Sequence, residues 1–165
     1  MDRRGKFEIP PAEVRGMAEE CEIPLMIPAE REIMGALNSC RRIAVVGLSA
    51  DPAKDSHRVA RYLMEHGYEV VPVNPFHEEI LGLRSHPDLR SVPVPIDLVD
   101  IFRPSSDVPD IVEQAIDIGA RVIWMQEGIV QNAAAERATR AGLQVIMNRC
   151  IMKEHRRMTS GAVPE

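Results

Sequence analysis

The chain has 165 residues, a length typical of one domain, and 45% of them are hydrophobic, which favours a globular protein over a disordered one. Its 20 lysines and arginines against 25 aspartates and glutamates give a net charge of −5, which argues against nucleic acid as a partner. The three cysteines form no CxxC pair and the five histidines lack metal-ligand spacing, so we expect no disulfide framework, no metal site and a reducing compartment.

The first segment, residues 1–28, contains four prolines among charged residues and is predicted to be an irregular N-terminal extension. It lacks the continuous apolar stretch of a signal peptide, and no run in the chain reaches the roughly 18 apolar residues of a membrane span. We therefore expect a cytoplasmic protein with no membrane partner. A helix is predicted next, over 29–39, because Ile33, Met34 and Leu37 recur at helical spacing.

Five short apolar runs, rich in β-branched residues, then alternate with helical patterns. Each run has the length of a strand buried on both faces, and the alternation favours right-handed crossovers and a parallel sheet. The predicted fold is α/β: a single Rossmann-like domain at 29–158 with a doubly wound, mainly parallel five-stranded sheet, followed by a flexible tail at 159–165. The predicted strands are 43–47, 68–73, 96–102, 121–126 and 143–148.

Three of the gaps between these strands are predicted to be helices with recognisable ends. The remaining gap, residues 74–95, is the least regular and carries one short predicted strand at Glu79–Leu83. Polar side chains can cap the helix N-termini, and glycines supply the left-handed residue that ends each helix. The predicted caps are Ser56, Asp107 and Asn132, and the predicted terminating glycines are Gly67, Gly119 and Gly142.

Ligands of doubly wound sheets bind outside the carboxyl ends of the strands, so the residues after each run are candidates for a binding site. Gly47 ends the first run just before a helix, whose free N–H groups favour a phosphate. The alternative is a tight turn with solvated charges. The GxGxxG pattern is incomplete and the second strand ends in Asn74 instead of an acid, which argues against NAD but leaves NADP open. The candidate residues are Gly47, Leu48, Ser49, Lys54, His57, Arg58, Asn74, Pro75, Arg103, Gln126, Asn148, Arg149 and Cys150.

Cys150 is the thiol that follows the last predicted strand. Arg149 beside it supplies the positive charge that makes a thiol more reactive, although a small buried apolar residue is the simpler interpretation. Two enzymatic alternatives therefore remain: a thiol-redox protein acting through Cys150 and an NADP-linked reductase.

Several segments together carry a resemblance that covers about residues 30–158. VVGLSADPAKDSHRVARYLMEHGYEVVPVNP, followed by VDIFR, VIWMQEG and NRCIMKEHRR, resembles the small stand-alone CoA-binding proteins. Their Rossmann-like domain is similar to the CoA-binding domain of the succinyl-CoA synthetase alpha subunit. The resemblance implies coenzyme A across the strand ends, with phosphates near Gly47, Ser49, Lys54 and Arg58, adenosine near Asn74 and Pro75, and pantetheine toward Phe102, Arg103 and Gln126.

The chain departs from this pattern in two respects. Asp55 stands where such proteins often have proline, and the chain is too short for the second domain with a phosphorylated histidine that the synthetases use. The expected function is therefore non-catalytic binding of CoA or acyl-CoA, in a carrier, sensor or regulatory role, with a protein partner or self-association. A third hypothesis is an interaction protein that contacts its partner through residues 1–28.

Overall fold

The structure is a computed structural model that describes residues 22–161. Seven strands and five α-helices alternate along this part of the chain. The strands are β1 (Arg42–Val46), β2 (Glu69–Val73), β3 (Glu79–Ile80), β4 (Leu83–Arg84), β5 (Leu98–Ile101), β6 (Val122–Met125) and β7 (Gln144–Ile146). The helices are α1 (Glu30–Ser39), α2 (Asp55–Glu65), α3 (Val108–Asp117), α4 (Asn132–Arg140) and α5 (Ile151–Thr159).

Five of the strands form one parallel sheet in the order β2-β1-β5-β6-β7, which confirms the predicted doubly wound α/β fold. After β2 the chain crosses back over β1 and continues on its other side, so the winding reverses between β1 and β5. In such sheets the crevice at the reversal is the usual place for a ligand. The topology therefore directs attention to the loops that follow β1 and β5.

Alternate residues of each strand enter two separate cores. Ile43 and Val45 of β1 pack in one core with α1, α2 and α5, whereas Ala44 and Val46 pack in the other with α3 and α4. Burial on both faces explains why the strands read as continuous apolar runs. The exception is Asp100, a carboxyl side chain within β5 that is completely buried.

The predicted cap at Ser56 is wrong, because α2 begins one residue earlier, at Asp55, with Lys54 in the cap position. The Ser56 hydroxyl instead accepts a hydrogen bond from the backbone N–H of Ser49 at 2.9 Å. This bond ties the loop after β1 to the first turn of α2. A residue that resembled a helix cap in the sequence thus holds the loop in place.

The predicted cap at Asn132 is also wrong, because Asn132 is the first helical residue of α4 and Gln131 precedes it. The Asn132 side chain accepts from the Leu25 N–H at 2.9 Å and donates to the Ile23 carbonyl at 2.7 Å. It therefore fastens the segment before α1 to α4. Asp107 does occupy the cap position of α3, but its carboxylate pairs with Arg103.

Two further differences lie at the irregular parts of the chain. The single short strand predicted at Glu79–Leu83 is a two-stranded antiparallel hairpin, with Leu81 and Gly82 in the turn at φ of 57° and 72°. Positive φ at both central residues suits the right-handed twist of a hairpin. The helix α5 was not among the predicted elements, and it supplies one wall of the site described below.

The terminal segments are only partly described. Residues 22–28 form neither helix nor strand, α1 begins at Glu30 and α5 ends at Thr159, while residues 1–21 of the predicted extension (1–28) and residues 162–165 of the predicted tail (159–165) fall outside the described residues. Their boundaries stay predictions.

Within residues 22–161, no helix is long and apolar enough to span a membrane, and no three metal-ligating side chains cluster.

Candidate functional site

Gly47 lies where the loops after β1 and β5 touch. Its φ of +86° is in the left-handed region, and a Cβ added to it would come within 2.9 Å of Arg103 Cδ and 3.3 Å of the Phe102 carbonyl carbon. Glycine is therefore required at this position both by conformation and by space. The Gly47 N–H donates to the Val73 carbonyl at 3.0 Å, which links this point to the end of β2 as well.

The loop from Gly47 to α2 is held by its own polar groups. Ser49 Oγ accepts from the Asp51 N–H at 3.1 Å, and His57 Nδ1 donates to the Ser49 carbonyl at 2.9 Å. His57 is buried by this contact. The loop consequently delivers the N-terminus of α2, whose first N–H groups have no partner within the helix, to the carboxyl edge of the sheet.

The end of β2 is organised around Asn74. Its Nδ2 donates to the carbonyl of Leu48 at 2.9 Å, and its Oδ1 accepts from the Phe76 N–H at 2.8 Å. The Leu48 side chain is completely buried. Asn74 therefore fixes the relative position of two loops, while Phe76, 86% exposed, projects beside them.

Two cavities open at this edge of the sheet. The first, here called the loop cavity, has a volume of about 520 Å³ and lies among the loops after β1, β2 and β5. The second, the helix cavity, has a volume of about 720 Å³ and lies between α2 and α5, with Phe102 and Gln126 from the strand ends. Arg103 lines the loop cavity and its neighbour Phe102 lines the helix cavity, so both cavities reach the end of β5.

The predicted residues divide between these spaces. Lys54, exposed, and the buried Leu48 and His57 line neither the loop cavity nor the helix cavity. Asn148 and Arg149 line a smaller space of about 340 Å³ on the far side of Cys150. The loop cavity brings together Gly47, Ser49, Asn74, Pro75 and Arg103, and the helix cavity brings together Arg58, Phe102, Gln126 and Cys150.

One arginine at each cavity is already paired with a carboxylate. Arg103 contacts Asp107 at 2.8 Å across an exposed surface, and Arg58 pairs with Asp55, the acid that occupies the expected proline position. Exposed pairs of this kind contribute little to stability. An anionic ligand can therefore replace the carboxylate partner of either arginine at a small cost in stability.

The residues before α5 keep that helix in place. Asn148, at φ +59°, accepts from the Gly128 N–H at 2.7 Å, and the Arg149 carbonyl accepts from Trp124 Nε1 at 2.9 Å. Cys150 follows as a free, half-buried thiol in the cap position of α5. Asn148 and Arg149 thus have structural partners, whereas the Cys150 side chain borders the helix cavity.

The wall of the helix cavity is joined by a buried polar contact between α2 and α5. Tyr62 Oη and His155 Nδ1 are hydrogen-bonded at 2.7 Å. Burial, together with the neighbouring His66, lowers the pKa of His155. Sequence reasoning missed the α5 side of this wall because it missed α5; the residues that α5 adds to the cavity are Met152, Lys153 and Arg156.

Asp100, which is hydrogen-bonded to the cavity residue Gln126, was also missed. Its Oδ1 accepts a hydrogen bond of 2.6 Å from Nε2 of Gln126, which is 4% exposed. Burial raises the pKa of Asp100 to about 7, and the hydrogen bond from Gln126 opposes this change. The available signal was an acid inside the apolar run LVDIF, where a strand buried on both faces leaves no exposed position.

Comparisons with known proteins identify the family of this chain. Residues 41–156 match the model of the CoA binding domain family. The uncharacterized protein YneT of Bacillus subtilis is 39% identical over 128 residues, 78% of this chain and 95% of that protein. A hypothetical protein from Pyrococcus horikoshii OT3 has 39% identity and a TM-score of 0.79, with 85% of this chain and 99% of that one covered.

A larger relative contains the same region. The ADP-forming acetate-CoA ligase I of Archaeoglobus fulgidus is 31% identical over 119 residues, which are 66% of this chain but 17% of that ligase. The family match spans both cavities and every strand of the sheet. This chain therefore belongs to the CoA binding domain family, and it resembles the family's small stand-alone members.

Proposed function

We propose that this protein binds coenzyme A or acyl-CoA non-catalytically, with the nucleotide part in the loop cavity and the pantetheine arm passing Phe102 and Gln126 into the helix cavity. The observation that carries this proposal is the contact of Gly47 with Arg103 and Phe102. A Cβ at Gly47 would fill the space between the two loops, directly before the N-terminus of α2. Close backbone approach and a helix N-terminus are the features that hold phosphates.

The two cavities also suit the two halves of this ligand. The loop cavity offers backbone groups, Arg103, and the rings of Pro75 and Phe76, a combination suited to phosphates and an adenine base. The helix cavity adds apolar side chains such as Val59 and Met152, which suit a pantetheine arm or an acyl group. An extended ligand can reach both cavities past the end of β5.

The polar side chains at the loop after β1 support a binding role over catalysis. Ser49 Oγ is engaged by the Asp51 N–H and His57 Nδ1 by the Ser49 carbonyl, so they do not form a nucleophile and base pair. The ligase relative supports CoA as the ligand but is nearly six times longer than the matched region, so ligation is not carried over. A carrier, sensor or regulatory role follows from binding alone.

Calorimetric titration of the full chain with CoA, dephospho-CoA, NADP and NAD in parallel tests this proposal. We expect CoA to bind with micromolar affinity, about −8 kcal/mol, and the two dinucleotides to give no saturable heat. Saturable binding of NADP without binding of CoA would contradict the proposal and favour the reductase hypothesis. Weaker binding of dephospho-CoA would identify the 3′-phosphate as a recognised group.

A further inference from the structure

Asp100 is the buried side chain least explained by the fold. It is in the central part of the sheet, opposite Val45 on β1 and Trp124 on β6, and it is completely buried. Oδ1 accepts from Gln126, but Oδ2 has no hydrogen-bond partner among the described residues. A buried oxygen without a hydrogen-bond partner destabilises a protein, so the stability of the fold does not explain why an acid stands at this position.

Gln126 connects Asp100 to the helix cavity. It follows β6 directly, its Nε2 points inward to Asp100, and the residue lines the cavity. With Nε2 turned inward, the atom that this amide can offer to a ligand is the acceptor Oε1. Asp100 therefore controls a polar group at the place where the thiol end of the ligand would lie.

The orientation of the Gln126 amide depends on the protonation of Asp100. A carboxylate can only accept hydrogen bonds, so it holds Nε2 inward and leaves Oε1 toward the cavity. A carboxylic acid also carries an O–H, which can donate to Oε1 and permit the reversed amide, with Nε2 toward the cavity. Ionised Asp100 thus leaves only the acceptor Oε1 facing the cavity, whereas protonated Asp100 allows either the acceptor Oε1 or the donor Nε2 to face it.

Resting on the proposed function, we propose that Asp100 is a positioning residue that sets, through Gln126, the preference between CoA and acyl-CoA. The free thiol of CoA is a donor and is matched by Oε1, whereas the carbonyl oxygen of a thioester is an acceptor and is matched by Nε2. The ionised form of Asp100 therefore favours CoA, and the protonated form admits the thioester. The preference for acyl-CoA over CoA falls as the pH rises, and the raised pKa of Asp100, about 7, places this change near neutrality.

Other titratable and charged groups face the same cavity. The positions opposite Asp100 on β1 and β6 are apolar, Val45 and Trp124. A change of the affinity ratio that came from these cavity-wall groups instead of Asp100 would persist when Asp100 is replaced, so that replacement tells the two sources apart. The remaining groups are Asp55, Arg58, Arg61, Tyr62 and Glu65 of α2, Glu127 after β6, and Cys150, Lys153 and Arg156 at α5.

The test is calorimetric titration of the full chain with CoA, acetyl-CoA and the thioether S-ethyl-CoA at pH 6 and pH 8. The ratio of affinities is the readout, because the 3′-phosphate, which titrates near pH 6, is common to all three ligands. We expect the affinity of acetyl-CoA relative to CoA to fall about fivefold between pH 6 and pH 8, the value of one neutral hydrogen bond. S-ethyl-CoA has no carbonyl oxygen, so its affinity relative to that of acetyl-CoA should show the loss of the carbonyl contact directly.

Two variants make the result specific. Asp100→Asn offers a donor and an acceptor at every pH, so its acetyl-CoA to CoA ratio should not change with pH. Gln126→Met removes both polar atoms on the cavity side and should give the same pH-independent ratio even if Asp100→Asn folds poorly. A wild-type ratio that does not change, or a change that persists in either variant, overturns the inference, whereas absence of CoA binding by the wild type overturns the proposed function itself.

Discussion

The loop cavity and the helix cavity use their polar side chains in opposite ways. In the loop cavity Ser49 and Asn74 bind backbone groups of the loops after β1 and β2, which leaves backbone N–H groups and Arg103 for a ligand. In the helix cavity Gln126 and Cys150 border the open space with their side chains. We infer that backbone geometry decides affinity in the loop cavity, whereas side chains of the helix cavity adjust which thiol or thioester is held.

Replacement of Asp100 by Asn should give the largest change in stability. A pKa raised from 3.8 to about 7 means that the folded chain retains a proton that the unfolded chain loses, so stability falls as the pH rises from about 4 to 7. Asp100→Asn should remove this loss and raise the free energy of unfolding at pH 8 by up to about 4 kcal/mol.

Urea unfolding at pH 4 and pH 8 checks this prediction. The gain of Asp100→Asn over the wild type should be several kcal/mol smaller at pH 4 than at pH 8. An equal difference at both pH values would mean that Asp100 is not protonated in the folded chain. It would then contradict a titration of Asp100 near neutral pH.

Replacement of Arg103 by Ala should weaken CoA binding by about tenfold or more, because one charge-assisted hydrogen bond to phosphate is lost. Arg90→Ala is a matched control. Arg90 pairs with Asp117 at 2.8 Å and its side chain is 51% exposed, whereas Arg103 pairs with Asp107 at 2.8 Å and its side chain is 50% exposed. Both variants should change stability by less than about 1 kcal/mol, and only Arg103→Ala should change CoA affinity in a titration.

Replacement of Tyr62 by Phe leaves His155 Nδ1 without its partner and should reduce stability by about 1 to 2 kcal/mol in urea unfolding. Since Tyr62 borders only the helix cavity of the two, dephospho-CoA should lose the same fraction of its affinity as CoA. A selective loss of the 3′-phosphate contribution would show that the two cavities do not act separately.

Replacement of Cys150 by Ser should have the smallest effect, with CoA affinity within about twofold of the wild type. Mass spectrometry of the wild type after incubation with CoA disulfide is the companion measurement. Rapid formation of a mixed disulfide at Cys150, together with a thiol-exchange activity absent from Cys150→Ser, would instead support the thiol-redox hypothesis.

The loop cavity was accessible to sequence reasoning and most of the helix cavity was not. The strands could be predicted because burial on both faces makes them continuously apolar, and the residues after them follow from topology. By contrast, α5 has only a narrow apolar face, with Ile151 and His155 buried, in a run of charged residues. Its position depends on packing against α2, a contact between residues about 90 positions apart that no local pattern reveals.

The two wrongly predicted helix caps and Asp100 show the same limit of local sequence patterns. Ser56 and Asn132 are good capping residues by type, but both bind backbone groups of other segments. Asp100 was within a correctly predicted strand, yet its pairing with Gln126 requires adjacent strand ends to meet. Residue type and spacing predicted where the strands of the parallel sheet lie, and long-range contacts decided what the side chains do there.

The most direct test compares CoA titrations of Gly47→Ala and Gly142→Ala. Both glycines have a left-handed backbone, with φ of 86° and 91°, so both variants carry similar strain. A Cβ at Gly47 would contact Arg103 and Phe102, whereas one at Gly142 would meet no atom within 4 Å. We predict that Gly47→Ala loses at least tenfold in CoA affinity while Gly142→Ala retains wild-type affinity. Equal affinities for the two variants would contradict binding of CoA at the junction of these loops.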